Sequence, residues 1–290
     1  MFNVRNGEIY MIKLKTFGSF TVGNDITSVQ EGAWRSEKLE KLFVYLAMNR
    51  NRGVCIEDIS EAIWQVEEET DNPVGALKNL AYRLRKALRD ASFGEECIVS
   101  VRGGLYKWND DVEVTIDVEE FDRYINEAEM AFCRSKETAI ESYEKAIALY
   151  HGDFLPLRTD THWFMTLNAF YHSRYVNTVK ALAKLYIDTG CYEKLEQLCT
   201  RAIVYERSDD QIYSYLIVAR LRTKKVQMAF DTYETAKAIM DKDLGVRKTV
   251  MLNKVYEELL SVTKGASRYN IDEVKDDISE ESRNGVIICG

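Results

Sequence analysis

The chain has 290 residues, of which 46% are hydrophobic and 11% aromatic, and it carries a formal net charge of −8 with a pI near 5.2. That length predicts two domains, each with enough apolar residues for a sizeable core. No apolar run approaches the roughly 18 residues that cross a bilayer, and the N-terminus shows no signal-peptide pattern, which predicts a soluble, cytoplasmic protein.

Taken in chain order, residues 9–14 and 17–22 read as strands, with Asn24 and Asp25 at a turn. Residues 34–50 read as a helix with Leu39, Leu42, Phe43, Leu46 and Ala47 on its apolar side, and 57–64 as a shorter one with Ile59, Ile63 and Trp64 inward. An acidic stretch, Glu67, Glu68, Glu69 and Asp71, leads into Pro73. Asp71 or Asn72 ahead of that proline predicts an N-cap with Pro at the first helical position. Residues 73–89 then give the most informative helix. At 100° per residue Leu77, Leu80, Ala81, Leu84 and Leu88 share one stripe. Gly75, Asn79, Tyr82 and Lys86 lie opposite, with Lys78, Arg83 and Arg89 on the flanks. Lys and Arg neutralise phosphates, and Arg, Lys and Asn pair with base edges in a major groove wide enough for a helix. An ordinary amphipathic helix with a solvated charged face would show the same pattern. The next stretch of chain adds weight to the DNA-reading helix: residues 97–101 and 105–108 read as strands of a hairpin turning at Arg102, Gly103 and Gly104, with Lys107 beyond the turn.

From Asp117 almost to Lys264 the pattern is helical, interrupted by one proline, Pro156. Within it Leu182 recurs as Leu216, Cys199 as Tyr233 and Ala202 as Ala236, a period of 34 residues. That is the length of a tetratricopeptide repeat, so stacked helix pairs in a small α-solenoid are expected. Gly190 marks the first repeat turn. Lys224 and Lys225 stand where a glycine is usual at the second, which implies that this turn need not have a positive φ. The six cysteines show no C-x-x-C pair and read as buried free thiols. His151, His162 and His172 lack metal-ligand spacing and read as structural. Tyr143, Tyr150, Tyr186, Tyr192 and Tyr233 read as packing residues. No phosphate-binding G-x-x-x-x-G-K-[ST] loop and no catalytic constellation occurs, so no enzymatic activity, metal or cofactor is expected.

The order β-β, α-α-α, β-hairpin and the residues that fill it resemble the winged-helix DNA-binding domain of OmpR/PhoB-type regulators, in the SARP-like branch. The strings that carry the resemblance are LKTFGSF at 14–20, Trp34-Arg35-Ser36 at the opening of the first helix, LFVYLAMNRNR at 42–52 and ALKNLAYRLRKAL at 76–88. Farther on, AIESYEKAIALYHGDFLP at 139–156, Trp163, and ALAKLYIDTGCYEKLEQLCTRAI at 181–203 resemble the bacterial transcriptional activator domain. The resemblance implies a mainly α fold with a small β component: a winged helix over 1–112, a tetratricopeptide-like solenoid over 113–264, and an acidic tail over 265–290. The apolar run at 286–289 in that tail looks like the first strand of a further, truncated domain. The resemblance also implies DNA contacts by Asn79, Tyr82, Arg83 and Lys86, with Arg102 on the wing and Arg35 near the backbone, and contact of Glu67, Glu68 and Glu69 with the σ subunit of RNA polymerase; the charge pattern adds Lys78, Arg89 and Lys107 as DNA-binding candidates. No receiver domain is found ahead of the winged helix, so receiver phosphorylation is not the expected input.

Two functions are compatible with this chain. One is a sequence-specific DNA-binding regulator, by family habit an activator, that forms a homodimer on repeated sites, meets polymerase and answers to an unidentified effector. The other is an interaction adaptor whose solenoid binds a peptide or effector while DNA binding is vestigial. The net charge of −8 opposes DNA. Between Lys78 and Lys107, however, seven basic residues face three acidic ones, and the acidic excess sits in the 67–71 stretch and the tail. An adaptor has no reason to keep that helix face basic.

Overall fold

The computed structural model describes residues 11–24, 27–65, 72–93, 97–101, 104–158, 160–245 and 249–263. The chain forms two compact units, residues 1–126 with 148–173, and residues 127–147 with 174–290.

The first unit begins with β1 (Ile12–Lys15), β2 (Thr21–Gly23) and β3 (Ser28–Gln30), then α1 (Glu37–Met48), α2 (Ile56–Ile63) and α3 (Pro73–Asp90), then β4 (Ile98–Val101), β5 (Leu105–Trp108) and β6 (Val114–Ile116). In β1, Ile12 and Leu14 are buried while Lys13 and Lys15 are exposed, the alternation of a strand with one wet face. The sheet runs β3-β2-β1-β6, with β1 antiparallel to β2 and parallel to β6. The sequence pattern did not disclose β3 or β6, because three residues carry too little alternation to register. The first helix starts at Glu37 rather than at 34. Trp34 and Arg35 belong to a turn closed by Arg35 N–H to the Gly32 carbonyl at 2.9 Å, with Arg35 at φ 49, and Ser36 is the N-cap.

Helix α1 is buried on all sides from Leu39 to Ala47, including Glu40 and Lys41. One side meets α2, α3 and β5. Phe20, Trp34, Phe43 and Trp108 pack along it, tilted or edge-to-face, with centroids 5.4–6.2 Å apart. The other side meets Arg158, Asp160, Trp163 and Phe164. Arg158, itself only 4% exposed, reaches Glu40, with Glu31 at 3.3 Å and Glu37 at 3.7 Å. Lys41 pairs with Asp160, Tyr45 meets Trp163 at 4.9 Å, and the Thr161 hydroxyl donates to the Ala62 carbonyl at 2.8 Å.

The strings at 14–20 and 150–156, far apart in sequence, lie against each other. Phe17 bridges Phe154, Gly18 N–H donates to the Asp153 carbonyl at 2.9 Å, and Leu155 N–H to the Thr16 carbonyl at 2.9 Å. Gly18 has φ 81, and a Cβ there would lie 2.5 Å from the His151 carbonyl oxygen, so only glycine fits. The buried Asp117 carboxylate accepts from Thr16 N–H at 2.7 Å, the Thr16 hydroxyl at 2.6 Å, Phe17 N–H at 2.9 Å and Val118 N–H at 3.0 Å, fixing the start of α4 (Asp117–Ala131) beside β1.

The second unit takes parts of α4, α5 (Lys136–Leu149) and α6 (His162–Thr189), followed by α7 (Tyr192–Tyr205), α8 (Asp210–Arg222), α9 (Val226–Leu244) and α10 (Val250–Thr263). Helix α8 packs against α7, α9 and α10. All three repeat pairs, Leu182 with Leu216, Cys199 with Tyr233 and Ala202 with Ala236, are buried, as stacked helix pairs require. The two repeat turns have one geometry. Cys191 N–H reaches the Tyr186 carbonyl at 2.8 Å and Lys225 N–H the Arg220 carbonyl at 2.7 Å, each the long bond of a Schellman motif. Gly190 sits at φ 71 and Lys224 at φ 62. The expectation about the second turn is thereby corrected: it keeps the left-handed conformation, and a lysine bears the strain. This unit is a tetratricopeptide-like solenoid on a fold that is mainly α with a small β component.

Candidate nucleic-acid interface

Helix α3 is built from its cap. The Asn72 side chain accepts from Gly75 N–H at 2.8 Å with Pro73 in the first turn, so of the two N-cap candidates Asn72 fills the role. A Cβ on Gly75 would come within 2.7 Å of the Asn72 amide, which ties the glycine to the cap. Leu77, Leu80, Ala81, Leu84 and Leu88 are all buried, as their spacing predicted. Burying that stripe turns the opposite one outward. Lys78, Asn79, Tyr82, Arg83, Lys86 and Arg89 are all exposed, Tyr82 at 65%. Asn79, Tyr82, Arg83 and Lys86 make no side-chain hydrogen bond or ion pair among the described residues. The Tyr82 ring thus lies exposed beside Arg83 and Lys86, whose charges no acidic side chain neutralises among the described residues.

Behind the helix, β4 and β5 form the predicted hairpin, paired from Ile98 with Trp108 to Val101 with Leu105, and Gly104 takes φ 79 at the turn. Two contacts fix the hairpin. Val54 and Tyr106 exchange backbone hydrogen bonds at 2.8 and 2.9 Å, and the Arg85 guanidinium donates to the Ile98 carbonyl at 3.1 Å. Arg85 is therefore a tie between helix and wing, a role that charge counting along the sequence could not separate from DNA contact. Lys107 lies on β5 and pairs with Asp110, which reduces the charge it offers to an anion. Arg35 sits exposed in the turn before α1, on a different element from the α3 face. Arg102, Glu67, Glu68 and Glu69 lie outside the described residues, as do Asp71, Cys289 and the tail.

Of the three histidines, His172 makes a structural contact, while His151 and His162 are exposed. His172 Nδ1 and the Tyr150 hydroxyl meet the Asp153 carboxylate at 2.8 and 2.6 Å. His172 in first place, with Tyr150, holds the Asp153 carboxyl below the usual carboxylate range against the opposing effect of burial. Among the cysteines the expectation of burial holds for Cys97 and Cys199. Cys133 is exposed and Cys55 and Cys191 are half-buried, and no disulfide occurs among the described residues. Burial pushes the Cys97 thiol up to about 12, and the Cys199 thiol upward as well. Tyr143, Tyr150, Tyr186 and Tyr233 are buried as packing residues, and Tyr192 is half-buried. Among the described residues no group of acidic, His or Cys side chains could hold a metal ion, and no helix is long and apolar enough to cross a membrane.

The family model of the bacterial transcriptional activator domain matches residues 116–260, half of the chain. Transcriptional regulator RedD of Streptomyces coelicolor is 23% identical over 238 residues, spanning 81% of this chain and 67% of RedD. A solved structure of EmbR from Mycobacterium tuberculosis, in complex with a low-affinity phosphopeptide, superposes with a TM-score of 0.68 at 18% identity, covering 93% of this chain and 70% of that one. With the matched domain preceded by a winged helix, the chain belongs to the bacterial transcriptional activator domain family, as a SARP-like transcriptional regulator.

Proposed function

We propose that this protein regulates transcription by sequence-specific DNA binding, with α3 as the reading helix and the β4–β5 hairpin as the wing. The observation that carries this reading is the outward face of α3, where Asn79, Tyr82, Arg83 and Lys86 stand exposed with no side-chain hydrogen bond or ion pair among the described residues, on a helix whose opposite side is locked into the core. In the major groove Arg83 and Lys86 supply base-edge or phosphate contacts, Asn79 a two-pronged amide, and Lys78 and Arg89 flanking positive charge. Arg102, Lys107 and Arg35 extend the footprint to the backbone. By the family's habit the protein activates: it binds repeated sites as a homodimer, Glu67, Glu68 and Glu69 meet polymerase, and the solenoid carries protein contacts. Because the molecule as a whole is acidic, affinity depends on these few contacts and falls steeply with salt.

The test is genomic-fragment selection with purified protein across a salt series, repeated with a Tyr82→Ala, Arg83→Ala, Lys86→Ala triple variant. A repeated motif that the wild type enriches and the variant does not supports the reading. On a mapped site, Arg83→Ala or Lys86→Ala costs about 1–3 kcal/mol if the side chain reads a base. A phosphate contact instead weakens all sequences alike and lowers the salt slope by about one. No enrichment by the folded wild type would defeat the proposal.

A further inference from the structure

The β4–β5 hairpin is gripped at its root along both edges. On the β5 edge, Val54 from the turn between α1 and α2 donates its N–H to the Tyr106 carbonyl at 2.8 Å and accepts from Tyr106 N–H at 2.9 Å. Antiparallel ladders bond at alternate pairs, so a Tyr106 that directs both backbone groups to Val54 forms a non-bonded pair with Ser100 across the hairpin. Two residues along, the pair of Trp108 with Ile98 is of the same kind, and Ile98 turns its own N–H and carbonyl away from β5. That carbonyl points out of the opposite edge on a residue only 2% exposed, where an oxygen without a donor destabilises the fold. Arg85 of α3 supplies the donor, its Nε–H reaching the Ile98 oxygen at 3.1 Å.

Arg85 thereby differs from the other cations of its helix. Lys78, Arg83, Lys86 and Arg89 are exposed, whereas Arg85 is half-buried and turned back onto β4. A hairpin of two four-residue strands holds no fixed direction by itself. With Val54 on one edge and Arg85 on the other it moves as one body with the helices, and its distance from the outward face of α3 is set before any partner arrives. Such preorganisation removes an ordering cost from binding.

We propose that Arg85 is a positioning residue for DNA binding: it holds the wing where the sugar-phosphate backbone passes when α3 lies in the groove, and raises affinity without touching DNA. The proposal rests on α3 as the reading helix and the hairpin as the wing. Because backbone contacts position the protein and carry no sequence information, the gain is the same on every sequence, and choice among sequences stays with the α3 face.

Three variants of the full chain, each checked for fold by circular dichroism, separate positioning from contact. Arg85→Ala removes the donor, Arg85→Gln puts an amide N–H at the place of Nε and keeps the tie without the charge, and Arg85→Lys keeps the charge but has carbon at that place. In the free protein, amide exchange in β4 and β5 is expected to rise about tenfold or more in the Ala and Lys variants, while α3 and the Gln variant keep wild-type rates. On a fragment that the wild type selects, hydroxyl-radical footprints of the Ala and Lys variants lose the wing-side protection and keep that of α3. Affinity falls about tenfold on matched and mismatched fragments alike, and Arg85→Gln restores it. If Arg85→Ala does not fold, Arg85→Lys against Arg85→Gln carries the comparison. Unchanged exchange in the Ala and Lys variants, or wing-side protection that survives faster exchange, overturns the proposal. So does wild-type binding by Arg85→Lys with loss in Arg85→Gln, the mark of a direct phosphate contact. A wild type that protects no fragment defeats the DNA reading and this proposal together, and the exchange rates, taken without DNA, tell that failure from a clamp that does not hold.

Discussion

In the second unit the packing runs between neighbouring helices of the chain, α7 with α8 and α8 with α9, where Tyr213, Ile217, Tyr233 and Ala236 share one buried cluster. In the first unit the decisive partners are about a hundred residues apart: Thr16 with Asp117, Glu40 with Arg158, Lys41 with Asp160. The solenoid is thus a sum of local interfaces, whereas the winged helix depends on a chain segment, 148–173, that arrives after two intervening helices. A family boundary drawn along the sequence and a unit drawn by packing are therefore different divisions of this molecule.

The contrast is broken most severely at Arg158. Arg158→Met leaves Glu40, 2% exposed, as a buried charge without its closest partner, and about 3–5 kcal/mol of stability is lost from the first unit. Pairing it with Glu40→Leu restores much of that, since the desolvation cost disappears with the charge. Chemical denaturation followed by fluorescence of Trp34, Trp108 and Trp163 reads both. A full loss in the double variant would show that the ion pair itself, rather than the stranded charge, carries the effect.

Glycine gives the next largest separation. Gly18→Ala places a Cβ 2.5 Å from a backbone oxygen at a positive φ, and is expected to cost about 3 kcal/mol or more. Gly190→Ala meets nothing within 4 Å, so only the left-handed φ is penalised, about 1 kcal/mol. Conversely Lys224→Gly relieves φ 62 and stabilises the second unit by about 1 kcal/mol in a thermal melt. Equal effects at Gly18 and Gly190 would contradict the backbone contact described at Gly18.

The smallest effects report on each unit separately. Cys97 in the first unit and Cys199 in the second are both buried with thiols raised by desolvation, so each stays protonated and covered near neutral pH while exposed Cys133 reacts with a disulfide reagent. Their slow labelling rates then measure the opening of the two units, and Arg158→Met should accelerate Cys97 far more than Cys199. Asp153 adds an acid signature to the first unit. Its carboxyl lies below the ordinary value, so the stability it supplies is present above about pH 4 and is lost as pH falls through the lower folded value. Asp153→Asn flattens that limb of the melting profile while leaving the neutral-pH limb as it was.

Helical periodicity, the cap before Pro73, the glycine turn of the wing and the 34-residue repeat were legible in the sequence, because each is a pattern among residues close in the chain. So was the outward face of α3, since burying one stripe of a helix dictates the other. The role of Arg85 as a tie to Ile98 was not legible, nor were Glu40, Lys41 and Tyr45 on what reads as the wet side of α1. A helix has two sides, and the pattern announces only the one that is apolar. What covers the other side is decided when Arg158 and Asp160 come to lie on it, bringing their own charges to meet those of α1. The left-handed turn at Lys224 is local, but a lysine where glycine is usual hides it. The pairing of the 14–20 and 150–156 strings arises from long-range packing, whose partners share no spacing that a sequence can show.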